Sequence, residues 1–388
     1  MQYRKFGKVD WQVSVLGFGC MRLPTIGEDS GRIDQEKTNE MIWKAIEGGV
    51  NYFDTAYVYH KQQSEVALGK ALANGYRSKV RIATKLPVWL VKEADDFNRL
   101  LDEELRRLQT DRIDFYLLHA LNAESWQKVQ KLGLLKKAQN AIADGRISHV
   151  GFSFHDNLPV FKRIVDGYDQ WTFCQIQYNY MDIAFQAGKK GLHYAAEKGL
   201  AVVIMEPLRG GSLAAELPAA KPLWREAKNK RTPADWAFQW LWNQPEISVV
   251  LSGMSTYQQV EENIISADRS GVGLLNEDEL ALISRVRDTL SGLSPVDCTR
   301  CEYCLPCPQG VNIPRVFDYY NRAAVYDDLQ GSRDGYARFF DDAEKAGNCI
   351  QCEECVPKCP QNIPISDWMP VIEDVLGSDH PFQKNLGR

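Results

Sequence analysis

The chain has 388 residues, enough for one large domain plus a small one, or for two of middling size. Hydrophobic residues make up 44 % and charged residues 25 %, ordinary values for a folded globular chain. A formal net charge of −5 gives no basic field for nucleic acid, no apolar run approaches the ~20 residues that span a bilayer, and the N-terminal MQYRKFGKVDW lacks a signal-peptide form, so a cytoplasmic protein is expected.

Tyr3–Phe6 and Val13–Leu16 read as short strands joined through residues 7–10. Apolar runs resembling buried strands then end near Gly19, Asp54, Lys85, His119, Ser153, Gln177, Met205 and Gly253. Helix-period segments lie between them. Asn39–Glu47 puts Met41, Ile42, Ala45 and Ile46 on one face, and Phe97–Leu108 does likewise with Phe97, Leu100, Leu101, Leu105 and Leu108. Trp126–Ala143, Leu158–Val165, Gly191–Lys198, Pro233–Trp242 and Tyr257–Ala267 continue the series. Eight strands alternating with about eight helices over ~250 residues predict a (β/α)8 TIM barrel. The alternative is an open doubly wound sheet, which usually carries a GxGxxG turn; GFGCMR at Gly17–Arg22 does not fit it. Asn276–Leu290 reads as one more amphipathic helix and Ser291–Pro295 as a turn-rich linker. The expected domains are therefore a barrel over residues 1–290 and a small, mainly α-helical domain over 291–388.

Barrel sites are built at the carboxyl ends of strands. Three of the predicted strands close on an ionisable residue: Asp54, Lys85 and His119. Tyr59 follows Asp54 by five residues, in a loop. Each alone is equally well a capped strand end, half of a buried ion pair or a satisfied core histidine. Together they make a proton-donating site. An alkoxide formed by hydride addition needs a proton, and a phenol with pKa ~10 gives one up poorly unless its anion is stabilised. A neighbouring Lys85 ammonium is expected to lower the Tyr59 pKa, with Asp54 holding Lys85 and His119 orienting a substrate oxygen.

The first 290 residues resemble the aldo-keto reductase family. The likeness is carried, in family order, by GFGCMRLP at Gly17–Pro24, FDTAYVY at Phe53–Tyr59 with Ser64–Glu65 after it, and ATK at Ala83–Lys85. It continues with LLH at Leu117–His119, GFS at Gly151–Ser153, CQIQYN at Cys174–Asn179, PLRGG at Pro207–Gly211 and SGMSTYQQVEEN at Ser252–Asn263. The resemblance implies catalysis by Asp54, Tyr59, Lys85 and His119 and a bound nicotinamide dinucleotide. By it, Gly19, Cys20, Met21 and Met205 line the nicotinamide region, and Ser153 and Gln175 hold its carboxamide. Arg209, Gly210 and Gly211 approach the pyrophosphate. Gly253, Met254 and Ser255, with Gln259, Glu262 and Asn263, hold the adenosine half.

Three departures stand out. Phe154 and His155 follow Ser153 where many relatives place Asn. Met205 and Glu206 stand where many stack an aromatic ring on the nicotinamide. Leu251–Ala267 contains no Lys or Arg to pair with a 2′-phosphate, which leans the expectation towards NAD over NADP.

The last 98 residues differ in kind, with nine basic and fifteen acidic side chains and eight of the ten cysteines. Clustered cysteines in a cytosolic chain argue for metal over disulfides. Cys298, Cys301, Cys304 and Cys307 run CTRCEYCLPCP; Cys349, Cys352, Cys355 and Cys359 run CIQCEECVPKCP. The second run matches the bacterial ferredoxin pattern, in which three cysteines ligate one [4Fe–4S] cluster and the fourth ligates another. By this logic Cys298, Cys301, Cys304 and Cys359 hold one cluster, and Cys349, Cys352, Cys355 and Cys307 the other. The rival is two four-cysteine zinc sites, which usually pair two CxxC knuckles across a spacer. Between the runs, Ile313–Tyr326 and Gly335–Ala346 read as helical, so the tail resembles an α-helical ferredoxin module.

The expected function is nicotinamide-dependent carbonyl/alcohol interconversion on a small molecule, with the clusters passing single electrons to or from a protein partner. Hydride carries two electrons and a cluster one, so a flavin is a possible further cofactor. The alternatives are a flavin-linked electron-transfer enzyme and a redox-sensing or docking protein whose barrel binds nucleotide without turnover.

Overall fold

The computed structural model describes residues 1–386 except 28, 299, 301, 302, 360 and 379. Cys301 therefore lies outside the described residues. The chain forms two compact units, Met1–Ala214 with Arg231–Leu280, and Ala215–Lys230 with Ala281–Arg388.

The first unit opens with an antiparallel hairpin, β1 (Tyr3–Phe6) and β2 (Val9–Ser14). Eight parallel strands then close a barrel: β3 (Leu16–Gly19), β4 (Tyr52–Asp54), β5 (Arg81–Leu86), β6 (Ile113–Leu121), β7 (Ile147–Phe154), β8 (Phe173–Gln177), β9 (Ala201–Met205) and β10 (Ile247–Ser252). β10 pairs with β3 and completes the ring. These runs are mostly apolar because both faces of the sheet are covered.

Inside the barrel, Tyr52, Ala83, Phe115, Leu117, Phe173, Val203 and Val249 pack against Phe6 and Val13 of the hairpin. The Phe6 ring sits 4.5 Å from that of Phe115, so the hairpin plugs the amino end of the barrel. Truncating a buried ring of this kind costs about 3–5 kcal/mol. Gly7 turns the hairpin with φ 54°, and a Cβ there would meet the Ala201 amide nitrogen at 2.5 Å. Outside, a thicker apolar layer joins the strands to the helices, with Ile42, Leu68, Leu101, Trp126, Phe161, Leu192 and Phe238 all buried.

Four element expectations need correction. The segment Val13–Leu16 is not one hairpin strand: β2 starts at Val9, and Leu16 opens the first barrel strand. Trp126–Ala143 is two helices, Ala123–Lys131 and Leu134–Ala143, because Gly133 takes a left-handed φ of 63° between them. In the tail, Gly335–Ala346 is replaced by a helix at Leu329–Phe339 and two short 3-10 turns. Helices Ser64–Ala71 and Ile365–Ile372 were not anticipated.

The second unit has its own core. Helix Ile313–Val325 contributes Ile313, Val316, Phe317 and Tyr320; Leu329–Phe339 contributes Tyr336; Ile365–Ile372 contributes Trp368, Met369 and Ile372. Cys304 belongs to this core, and Cys298, Cys307, Cys349, Cys355 and Cys359 pack against it. Among the described residues, no helix is long and apolar enough to cross a membrane.

Candidate active site and cysteine cavity

Asp54 is the last residue of β4, and Lys85 lies one residue before the end of β5. Both are buried, at 2 % and 1 % exposure, so neither charge could persist there without the other. The Lys85 ammonium donates to Asp54 Oδ1 at 2.5 Å, to the Thr55 carbonyl at 2.7 Å and to the Tyr59 hydroxyl at 3.3 Å. Three protons and three acceptors match.

Tyr59 enters from the loop after β4. Its position depends on a strained turn in which His60, Lys61 and Gln62 have φ of 51°, 51° and 71°. His60 fixes that turn by bridging two other loops. Its Nε2 accepts from the Leu23 amide at 3.1 Å, and Nδ1 donates to the Ser30 carbonyl at 2.7 Å.

His119 comes from β6, where the register with β7 slips between Leu118 and Leu121 and Ala120 has φ 54°. Such a bulge re-aims a side chain beside a site. Here the His119 ring meets Tyr59 edge-on at 6.2 Å and lies 5.0 Å from Trp89. The structure thus brings together Asp54, Tyr59, Lys85 and His119, the four candidate residues named from sequence.

The electrostatics differ from expectation at Tyr59. Burial raises its pKa, Lys85 pulls it down, Asp54 and Glu206 push it up, and the net direction is upward. Lys85 therefore offsets part of the burial effect; it does not bring the phenol below its ordinary value. Burial raises the Asp54 carboxyl while Lys85 lowers it, with a net rise. Burial disfavours the Lys85 ammonium, but Asp54 and Tyr59 outweigh it and the pKa rises. Burial, then Lys85, then His155 hold His119 well below the usual histidine range, so its imidazole is neutral.

Around this group sit the expected nucleotide contacts. Ser64 Oγ donates to the Cys20 carbonyl at 2.9 Å and shares a hydrogen bond with Thr55 Oγ1 at 2.8 Å, fixing Gly19–Cys20 beside β4. The Cys20 side chain is fully buried and Met21 is exposed. Ser153 and Gln175 face each other in register on β7 and β8. Ser153 Oγ accepts from the Ala120 amide at 2.8 Å, while Gln175 Oε1 is buried with no partner among the described residues. An orphaned buried acceptor is costly unless a ligand donor reaches it, and the carboxamide of nicotinamide carries such a donor. The residues present therefore fit the group.

Met205 closes β9, followed by Glu206 and the loop Arg209–Ala214, where Gly210 and Gly211 have φ of 69° and 105°. Arg209 is already paired with Asp182 at 3.3 Å. After β10, Ser255's amide donates to Gln259 Oε1 at 2.8 Å, Asn263 Nδ2 donates to Ser252 Oγ at 3.0 Å, and Gln258 Nε2 donates to Glu262 Oε1 at 2.7 Å. These side chains shape the loop, and Met254 is buried beneath it. A Cβ on Gly253 would lie 3.3 Å from Cγ and Cδ of Arg22. The aliphatic part of the Arg22 side chain, from the loop after β3, thus lies beside the β10 loop.

Sequence reading missed the Thr55 carbonyl, a backbone group with no side-chain signature, and the Asp182 partner of Arg209. Trp89, in the loop after β5, is the wall beside His119.

In the second unit, Cys307, Cys349, Cys352 and Cys355 line one cavity together with Cys304, Glu353 and Lys358. Burial raises the Cys355 thiol, its own backbone amide lowers it, and Cys349, Cys307 and Cys352 each raise it further. The four thiols expected to share a cluster are thus neighbours. Among the described residues, no three His, Cys, Asp or Glu side chains converge on a single ion. A cavity ringed by cysteines, in a chain segment matching a 4Fe-4S dicluster model, fits a cluster.

A family model described as "Aldo/keto reductase family" matches residues 15–287, and one described as "4Fe-4S dicluster domain" matches residues 297–363. The chain is similar to L-galactose dehydrogenase of Arabidopsis thaliana, 26 % identical over 319 residues, covering 76 % of this chain and 97 % of that enzyme. Among solved structures it resembles aldo-keto reductase AKR11C1 of Bacillus halodurans in its holo form, with TM-score 0.61 and 24 % identity over 74 % of this chain and 96 % of that one. It also resembles an aldo-keto reductase of Klebsiella pneumoniae in complex with NADPH, with TM-score 0.59 and 22 % identity over 73 % of this chain and 93 % of that one.

Proposed function

This chain belongs to the aldo/keto reductase family and carries a 4Fe-4S dicluster domain after its barrel, and from that premise we propose that it interconverts a small-molecule carbonyl and alcohol using a nicotinamide dinucleotide. We take the barrel as residues 1–290 and the cluster-bearing domain as 291–388, with Cys298, Cys301, Cys304 and Cys359 for one [4Fe–4S] cluster and Cys307, Cys349, Cys352 and Cys355 for the other. The observation that carries the reading is the Lys85 ammonium, held by Asp54 and Thr55 and donating to the Tyr59 hydroxyl, with a neutral imidazole beside it.

When bound, a reduced nicotinamide supplies a hydride and the clusters supply single-electron transfer. His119, neutral, donates a hydrogen bond to the substrate oxygen and fixes its direction towards Tyr59. The Tyr59 hydroxyl gives its proton to that oxygen as negative charge develops there. Lys85 then faces the phenolate, so the charge left behind is compensated. Asp54 and the Thr55 carbonyl hold Lys85 in place through the cycle. Ser153, Gln175, Gly19 and Met205 orient the nicotinamide, and Trp89 excludes water from one side.

For the nucleotide, the lean towards NAD rested on the missing cation in Leu251–Ala267. The Arg22 stem lies beside Gly253, so its guanidinium is the candidate for that role; both NAD(H) and NADP(H) are kept, and the NADPH complex of the Klebsiella pneumoniae relative favours the second. The test is anaerobic purification, then oxidation of NADH and NADPH against a panel of carbonyls and a one-electron acceptor. Carbonyl-dependent oxidation supports the reading; binding without turnover of any carbonyl favours the sensing alternative. Acid extraction and chromatography decide whether a flavin links hydride to cluster.

A further inference from the structure

Glu206 is an ionisable side chain at the mouth that the proton-donating group does not use. It follows Met205 at the end of β9, and its backbone is left-handed, with φ 55°. Non-glycine residues rarely adopt this region, and those that do are held there by their surroundings. Its carbonyl accepts from the Asn179 side-chain amide at 3.1 Å and from the Arg209 amide at 3.2 Å. Its charge reaches Tyr59, where it opposes ionisation. The nearby cations already have counter-ions, Lys85 in Asp54 and Arg209 in Asp182. The Glu206 carboxylate, half-buried, has no hydrogen-bond or ion-pair partner among the described residues. A constrained backbone thus fixes an acidic residue at the carboxyl end of β9, directly after Met205.

We propose that Glu206 sets the redox poise of the nicotinamide held at this mouth by favouring its oxidised form. The inference rests on the nucleotide reading given above. An oxidised nicotinamide ring carries one positive charge and a reduced ring none. A fixed carboxylate attracts the first and is nearly indifferent to the second. Tighter binding of the oxidised form lowers the potential of the bound couple, so the reduced form becomes a stronger donor. That shift brings the couple towards the low potentials common among ferredoxin-type clusters.

The test is titration of the anaerobically purified, cluster-loaded chain with NAD+, NADH, NADP+ and NADPH, following tryptophan quenching. For the nucleotide that binds, Glu206→Gln is expected to weaken the oxidised form relative to the reduced form by about fivefold to tenfold, the effect of one charge at partly screened range. Glu206→Asp keeps the charge and retains most of the wild-type preference. An unchanged ratio in Glu206→Gln, with cluster absorbance intact and both forms still bound, overturns the inference. Wild-type protein that binds neither form overturns the nucleotide reading itself, and the inference with it.

Discussion

Asp54→Asn separates what the buried pair does for the fold from what it does for chemistry. Lys85 is 1 % exposed and its ammonium has three acceptors, of which Asp54 alone is charged. Removing that charge leaves an ammonium buried against a carbonyl and a phenol. Breaking one side of a buried pair costs about 3–5 kcal/mol. At about 2–4 °C per kcal/mol for a domain of this size, the melting temperature should fall by roughly 6–20 °C. Replacing both members removes the stranded charge, so Asp54→Asn combined with Lys85→Met should recover most of the loss. Carbonyl reduction should stay lost in the double variant, because Tyr59 no longer faces a cation. Thermal unfolding followed by circular dichroism, with activity on the same samples, reads both. A single variant as stable as wild type, or a double variant as unstable as the single, would refute the claim that these charges depend on each other.

Glu104 lies fully buried on helix Asp96–Leu108, and burial, then the Glu65 carboxylate, raise its pKa well above 4.5 while the Tyr116 hydroxyl opposes them. A raised folded pKa gives stability that is complete below the unfolded value and lost as pH climbs towards the folded one; Glu104→Gln should therefore raise the melting temperature more at about pH 8 than at about pH 5, and the reverse order would contradict the sign. His119 is held neutral and Tyr59 protonated, so carbonyl reduction should be flat from about pH 6 to 9 while alcohol oxidation rises across that range; a reduction rate that collapses near pH 6.5 would show that His119 titrates normally. Iron and labile-sulfide analysis should give about eight of each per chain, and Cys355→Ser should remove about half of both while sparing the other cluster's EPR signal; zinc without sulfide would end the cluster assignment.

The strands were legible because a doubly covered barrel strand is a short apolar run followed by a polar stop, as in Ala201–Met205 before Glu206 or Ile247–Ser252. Three of the four candidate residues were legible in a similar way: Asp54 ends its strand, and Lys85 and His119 lie within two residues of the ends of theirs. Helix breaks were harder. The apolar period runs through Leu132 and Gly133 undisturbed, and only the left-handed glycine splits the segment. Ser64–Ala71 was invisible because six of its eight residues are buried, leaving no polar face to mark a period. The direction of the Tyr59 pKa was misjudged because charges can be read from a sequence and desolvation cannot. The Thr55 carbonyl and the Asp182–Arg209 pair depend on chain folding alone.

The central claim is that the Tyr59 hydroxyl delivers the proton. It is tested most directly by steady-state carbonyl reduction with Tyr59→Phe, measured beside nucleotide affinity on the same cluster-loaded preparation. Loss of the hydroxyl should lower kcat by about 10²–10⁴-fold and leave nucleotide affinity within about twofold. A Tyr59→Phe protein that reduces the same carbonyl at the wild-type rate would contradict it.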